Sequence, residues 1–194
     1  MRRAAITFLI GFFFGAVCLY AFLWSGGVLS PYLSRVRADA TRPPVARAHA
    51  ALLGSPIAGL TPANLHDTFA QERDGRRHEA IDIMEPRGTE VHAVVDGAIE
   101  KLFLSKAGGN TIYQFDIPRE YCYYYAHLDR YASGLHEGMP VKQGDLIGYV
   151  GSTGDASPEA PHLHFEIHVL GPEKQWWKGT AVNPYPALLA AIAE

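Results

Sequence analysis

From Leu65 onward, apolar and polar positions alternate in short runs broken by glycine-rich turns, the pattern of a β-rich domain. Glu90–Val95 and Ala98–Leu102 flank Asp96-Gly97 and read as two strands around a tight turn. Thr111–Phe115 and Tyr121–Leu128 make a further pair. The stretch from Gly138 to Asp145 supplies turn chemistry ahead of a strand at Leu146–Val150, and Pro161–Leu170 forms the last strong strand. Beyond Asn183-Pro184-Tyr185-Pro186, Leu188–Ile192 reads as a short closing helix.

Upstream the pattern changes. Ala4 to Trp24 carries no charged residue and is long enough to cross roughly 30 Å of hydrocarbon as a helix. We read residues 1–24 as a single transmembrane anchor in the lipid bilayer, with a cleaved signal as the alternative. Arg2 and Arg3 precede the run, so the expected orientation leaves the rest of the chain outside the cytoplasm. Residues 25–65, with Gly26-Gly27, Pro31, Pro43-Pro44, Pro56 and Pro62, read as a linker with one short helix at Ala46–Leu53. The folded domain is then expected over 66–194.

Composition narrows the chemistry. A chain of 194 residues that is 48% hydrophobic holds one globular domain plus extra material. A formal net charge of -3 gives no electrostatic reason to propose nucleic acid as a partner. Cys18 and Cys122 are far apart and offer neither a disulfide framework nor a CxxC knuckle. A bound metal must therefore be held by histidine and carboxylate.

Two short strings supply those groups: His78 and Asp82 in HEAID, and His162 and His164 in PHLHFE, with His127 in YYYAHLDRY between them. Residues two or four apart on a strand point to the same side. On that alternation His78, Ala80 and Asp82 share one side, with Ile81 and Ile83 toward the core. His162, His164 and Glu166 share a side on a second strand. Two imidazoles and one carboxylate from these strings suit a tetrahedral zinc with an open position for water. Two histidines are left to move protons, which is the inventory of a hydrolase. The same alternation puts Tyr123 and Tyr125 on the face of His127, Tyr125 as a candidate groove wall and Tyr123 more simply as strand packing, and Glu166 where it either orients a ligand imidazole or serves as a structural acid. No metal role is expected for His49, His66, His92, His136 or His168.

The HxxxD string, the central YAHL, the glycine-punctuated run from Gly138 to Gly154 and the closing HLHFE together resemble the M23, or LytM-like, zinc metallopeptidases. The resemblance covers roughly Asp67 to Pro184. It implies a mainly β fold with an antiparallel β-sheet groove and one Zn2+ held by His78, Asp82 and His164. It also implies catalytic roles for His127 and His162, and peptide crosslinks of bacterial peptidoglycan as substrate. Ala80 departs from the glycine the family usually has there, and Ala160 stands where a glycine often precedes the last motif. With water on zinc as the nucleophile, His162 is expected to take its proton, and His127 to stabilise the oxyanion or protonate the leaving amine. The alternatives are a non-catalytic LytM-like activator of a separate cell-wall amidase and a lipoyl-like hairpin carrier. Activators of that kind typically lack zinc ligands that this chain keeps, and the carrier leaves the histidines without a purpose.

Overall fold

The computed structural model describes residues 53–73 and 75–193. The anchor expected at 1–24 and most of the expected linker lie outside them. Among the described residues no helix is long and apolar enough to cross a membrane.

Twelve strands follow one another in the described residues. They are β1 (Glu72–Arg73), β2 (Arg76–Arg77), β3 (Ile81–Met84), β4 (Glu90–His92), β5 (Gly97–Ser105) and β6 (Gly109–Asp116). There follow β7 (Tyr121–Leu128), β8 (Arg130–Tyr131), β9 (Pro140–Val141), β10 (Leu146–Tyr149), β11 (His162–Leu170) and β12 (Gly179–Val182). A helix, α1 (Tyr185–Ala191), follows them. Every pairing is antiparallel. The large sheet runs β12-β11-β7-β6-β5-β9, and β3 pairs β11 as well. One edge of β11 is shared between two strands: its first half pairs β3 and its second half pairs β12, while β7 lies along the other edge. A smaller sheet has the order β4-β10-β8, and β1 and β2 form a hairpin of their own.

The expected antiparallel β architecture is present, but one expected hairpin is not. The run from Glu90 to Val95 leaves its strand after His92, and β4 pairs β10 in the smaller sheet. The β5 strand pairs β6 and β9 instead. Ala93, Val94 and Val95 are buried, so the apolar run that reads as a strand extension is core-filling bend. A continuous apolar run does not by itself separate the two.

The core also revises the domain boundary. Leu53, Ile57, Leu60 and Leu65 are buried in the same cluster as Ile81, Ile83, Ile99, Ile112, Tyr125 and Phe165 of the large sheet. Leu188 of α1 joins them. The folded unit therefore reaches back at least to Leu53, and 53–65 is not linker. The prolines that suggest a linker punctuate a segment anchored by these buried aliphatics, with the His92 N–H donating to Pro56 O and the Gly54 N–H to Val94 O.

Candidate metal centre

Register on β11 does most of the assembly. Asp82 pairs directly with His164 across β3 and β11, and Ala126 of β7 pairs with His164 on the other side. His78 does not share a strand with Asp82, contrary to the plain alternation. It ends the β1–β2 hairpin, whose ladder continues as the His78 N–H donates to Gln71 O at 2.8 Å. Glu79 then takes a left-handed conformation, φ 58°, and Ala80 bends into the core before β3 begins. Thr68 locks this corner: its hydroxyl donates to Ala80 O and accepts the Asp82 N–H, both at 3.1 Å.

Three side-chain atoms converge. His78 Nε2, Asp82 Oδ1 and His164 Nδ1 lie 3.1 Å from one another along all three edges. A tetrahedral zinc shell with bonds of about 2.0–2.1 Å puts its donors roughly 3.3 Å apart. The outer nitrogens decide where the imidazole protons sit. His78 Nδ1–H donates to Thr68 O at 3.1 Å, and His164 Nε2–H donates to Glu166 Oε1 at 2.8 Å. Both inner nitrogens then present lone pairs to a carboxylate oxygen and to each other, an arrangement that asks for a cation.

The charge balance agrees. Burial alone would raise the pKa of Asp82, but hydrogen bonds with His164, His78 and Arg73 outweigh it and hold the carboxyl well below the usual range. Burial opposes a proton on His164, yet Asp82 and Glu166 push its pKa up to about 9. Glu166, which burial would push up, is held down to about 2 by His164 and His168. Its second oxygen takes His168 Nε2, a partner that sequence spacing missed.

The remaining two histidines lie against this triangle. His127 sits in a left-handed conformation, φ 59°, at a bulge where Asn110 pairs Leu128 but Ile112 pairs Tyr125. A bulge of this kind reverses the alternation of its strand. Before it, Tyr123 and Tyr125 face the core while Tyr124 and Ala126 face the cleft. Past it, Leu128 is buried and His127 is on the cleft side. The expected placement of Tyr125 as a groove wall is thus wrong, because plain period-two reading does not survive the bulge. Tyr124 takes that place, its ring 6.0 Å from that of His164.

The bulge is held in several places. The His127 N–H donates to Gly108 O, and Nδ1–H to Thr153 O, both at 2.8 Å. The Thr153 hydroxyl donates to Leu128 O and accepts the Asn110 N–H. Gly154, with φ +79°, permits the close approach: a Cβ there would lie 2.0 Å from Ala107 O. Burial lowers the pKa of His127, only partly offset by its bond to Thr153 O. His162 is fixed likewise, Nδ1–H donating to Ala160 O at 2.9 Å, which leaves Nε2 3.8 Å from Asp82 Oδ1. The rings of His127 and His162 are 4.9 Å apart. A cleft of about 710 Å³ opens beside the centre, lined by His78, His127 and His164 among others.

The chain belongs to peptidase family M23. The family's model matches residues 76–184. Among curated relatives, an L-Ala–D-Glu endopeptidase of Bacillus subtilis is 35% identical over 60% of this chain and 36% of its own length. A peptidoglycan DD-endopeptidase of Vibrio cholerae is 34% identical over 64% of this chain and 28% of its own. This chain thus spans about a third or less of those relatives' length. Among solved structures, the catalytic domain of the antimicrobial peptidase lysostaphin from Staphylococcus simulans superposes with a TM-score of 0.53 at 32% identity, covering 64% of this chain and 88% of that one. The LytM-type fold expected from the motifs is therefore present.

Thr68, Tyr124 and Thr153 support the site without any sequence signal, since each acts through contacts that only the folded chain creates. Tyr125 has a different job. Fully buried, its hydroxyl donates to Gln114 Oε1 at 2.7 Å and accepts the Val94 N–H at 3.1 Å. Tyr125→Phe leaves two buried groups unpaired and should lower unfolding stability by roughly 1–3 kcal/mol in urea titrations, with turnover unchanged. A loss of turnover without a loss of stability would return Tyr125 to the cleft.

Proposed function

We propose that the chain is a zinc-dependent endopeptidase that hydrolyses peptide crosslinks of bacterial peptidoglycan. One observation carries the reading: three convergent donors stand beside two more imidazoles whose outer protons are fixed, so five side chains from four chain segments serve one point. The relatives that act on L-Ala–D-Glu and DD bonds support the substrate class.

His78 Nε2, Asp82 Oδ1 and His164 Nδ1 would hold the metal. Zinc bound there supplies a Lewis acid that brings the pKa of water near neutrality and polarises the scissile carbonyl. Every other task falls to the protein. His162 turns an unprotonated Nε2 toward the donors and takes the proton of the attacking water. That proton passes to His127, whose ring lies 4.9 Å away, and from there to the leaving amine; while protonated, His127 offers its N–H to the oxyanion. Burial makes protonated His127 a stronger acid than a solvated imidazolium, which suits that delivery. Glu166 holds His164 in the tautomer that leaves Nδ1 free. Arg73, 2.7 Å from Asp82 Oδ2, occupies the carboxylate oxygen that does not face the donors. The same reading places the domain on the periplasmic side of the inner membrane, tethered by the run from Ala4 to Trp24 behind Arg2 and Arg3.

The test is digestion of purified crosslinked muropeptides by the zinc-loaded full chain, with products identified by mass spectrometry. Cleavage at a peptide bond, abolished by chelation and restored by zinc, is expected. Intact muropeptides after incubation with fully loaded chain would overturn the proposal.

A further inference from the structure

The β1–β2 hairpin carries Arg73, Arg76 and Arg77, and all three line the cleft alongside His78, His127 and His164. Arg73 stands directly across the ladder from Arg76. Like charges at that pair repel, whereas the hairpin's other pair, Glu72 across from Arg77, joins opposite charges. Arg73 is discharged against Asp82. Arg76 and Arg77 are exposed and have no ion-pair partner among the described residues.

Their position is fixed by the metal donor that follows them. The ladder runs from Arg77 into His78, and the Glu79 N–H donates to Phe69 O at 3.0 Å, so the hairpin root is continuous with the donor triangle. Other parts of the cleft lining carry the opposite charge: Glu79 beside His78, Glu166 against His164, and Asp155, whose N–H donates to Ala107 O at 2.9 Å in the stretch that also fixes His127. The cleft lining thus gathers three arginines along the hairpin, with the carboxylates Glu79, Asp155 and Glu166 elsewhere around it.

We infer that Arg76 and Arg77 form a subsite for a free carboxylate on the substrate peptide, making the enzyme selective for stem peptides whose side carboxyl is not amidated. The inference rests on the endopeptidase reading and adds a specificity to it. A guanidinium offers a planar fork of donors that matches a carboxylate's two oxygens. The corresponding amide has the same shape, half the acceptors and no charge, so it gains little from the pair. The arginines lie one and two residues before His78 and hold a part of the peptide away from the bond that breaks. They therefore act on KM and leave kcat unchanged.

The experiment pairs one crosslinked muropeptide bearing free carboxyls with its amidated counterpart. Affinity is measured by calorimetry and turnover by mass spectrometry, using zinc-loaded full chain and the double variant Arg76→Gln/Arg77→Gln. Both arginines are exposed, so the glutamines leave the fold intact, and zinc content checks this. The unaltered chain should bind the acid about tenfold more tightly than the amide. Added salt should shrink that preference, and the double variant should bind both at the affinity of the amide. Equal affinity of the unaltered chain for the two forms, or a preference that survives in the double variant, would overturn the subsite. A preference in binding with neither peptide cut would remove the endopeptidase reading and leave the subsite standing. Cleavage of both with equal KM would do the reverse.

Discussion

His162→Ala should keep its zinc and lose at least about a hundredfold in kcat on crosslinked muropeptides, with KM little changed. The expectation follows from how the ring is held. Its Nδ1 is committed to Ala160 O, and its Nε2 lies 3.8 Å from Asp82 Oδ1, close to the donors but outside their triangle. Removing it takes away a proton acceptor and leaves the three 3.1 Å contacts intact. Metal analysis and single-turnover kinetics on one preparation separate the two effects. Near-normal turnover would assign the water's proton to another group. His127 is the next acceptor in line, because both oxygens of Glu166 are already engaged.

His164→Ala should lose both metal and activity, and by more than the roughly 10–100-fold in affinity that removal of an outer partner costs. Glu166→Gln supplies that comparison, since it weakens the grip on His164 Nε2 and touches no inner donor. The pH dependence has a definite sign. Burial works against a proton on His164, but Asp82 and Glu166 raise its pKa to about 9 in the metal-free protein. Below that pH, zinc must displace a proton to reach Nδ1. Apparent affinity should therefore fall about tenfold for each pH unit below 9, with one proton released per zinc, measurable by chelator competition and by calorimetry in buffers of different ionisation enthalpy. Affinity flat between pH 6 and 8, or full zinc occupancy in His164→Ala, would show that His164 is not a donor.

Much of the site is legible in the sequence because its parts sit on regular strands. His162, His164 and Glu166 alternate on β11 as spacing says, and Asp82 meets His164 through simple antiparallel register. What escapes is set by departures from regularity. His78 reaches the centre from a hairpin and a left-handed turn at Glu79, a conformation that HEAID does not announce. Tyr124 replaces Tyr125 in the cleft because one extra residue enters β7 near His127. Local composition misleads in the same way at the amino-terminal side, where prolines suggest an open linker and four widely spaced aliphatics bury themselves in the core. His168, given no metal role by spacing, stands against Glu166, since a two-residue step along a strand brings a carboxylate and an imidazole together as readily as it does two imidazoles.

The bulge at His127 also limits how this protein can change over time. On the amino-terminal side of it, one set of positions in β7 serves the core and the other the cleft; beyond it the two sets trade places. Substitutions at Tyr124 can retune the cleft without touching the packing around Phe165, and substitutions at Tyr125 do the opposite. Insertions and deletions have no such freedom. Dropping a single residue between Tyr121 and Ala126 would keep either the imidazole on its proper side or the apolar residues on theirs, never both. The length of this strand is therefore under stricter selection than its composition, and lineages of this domain should vary in the letters of β7 long before they vary in their number.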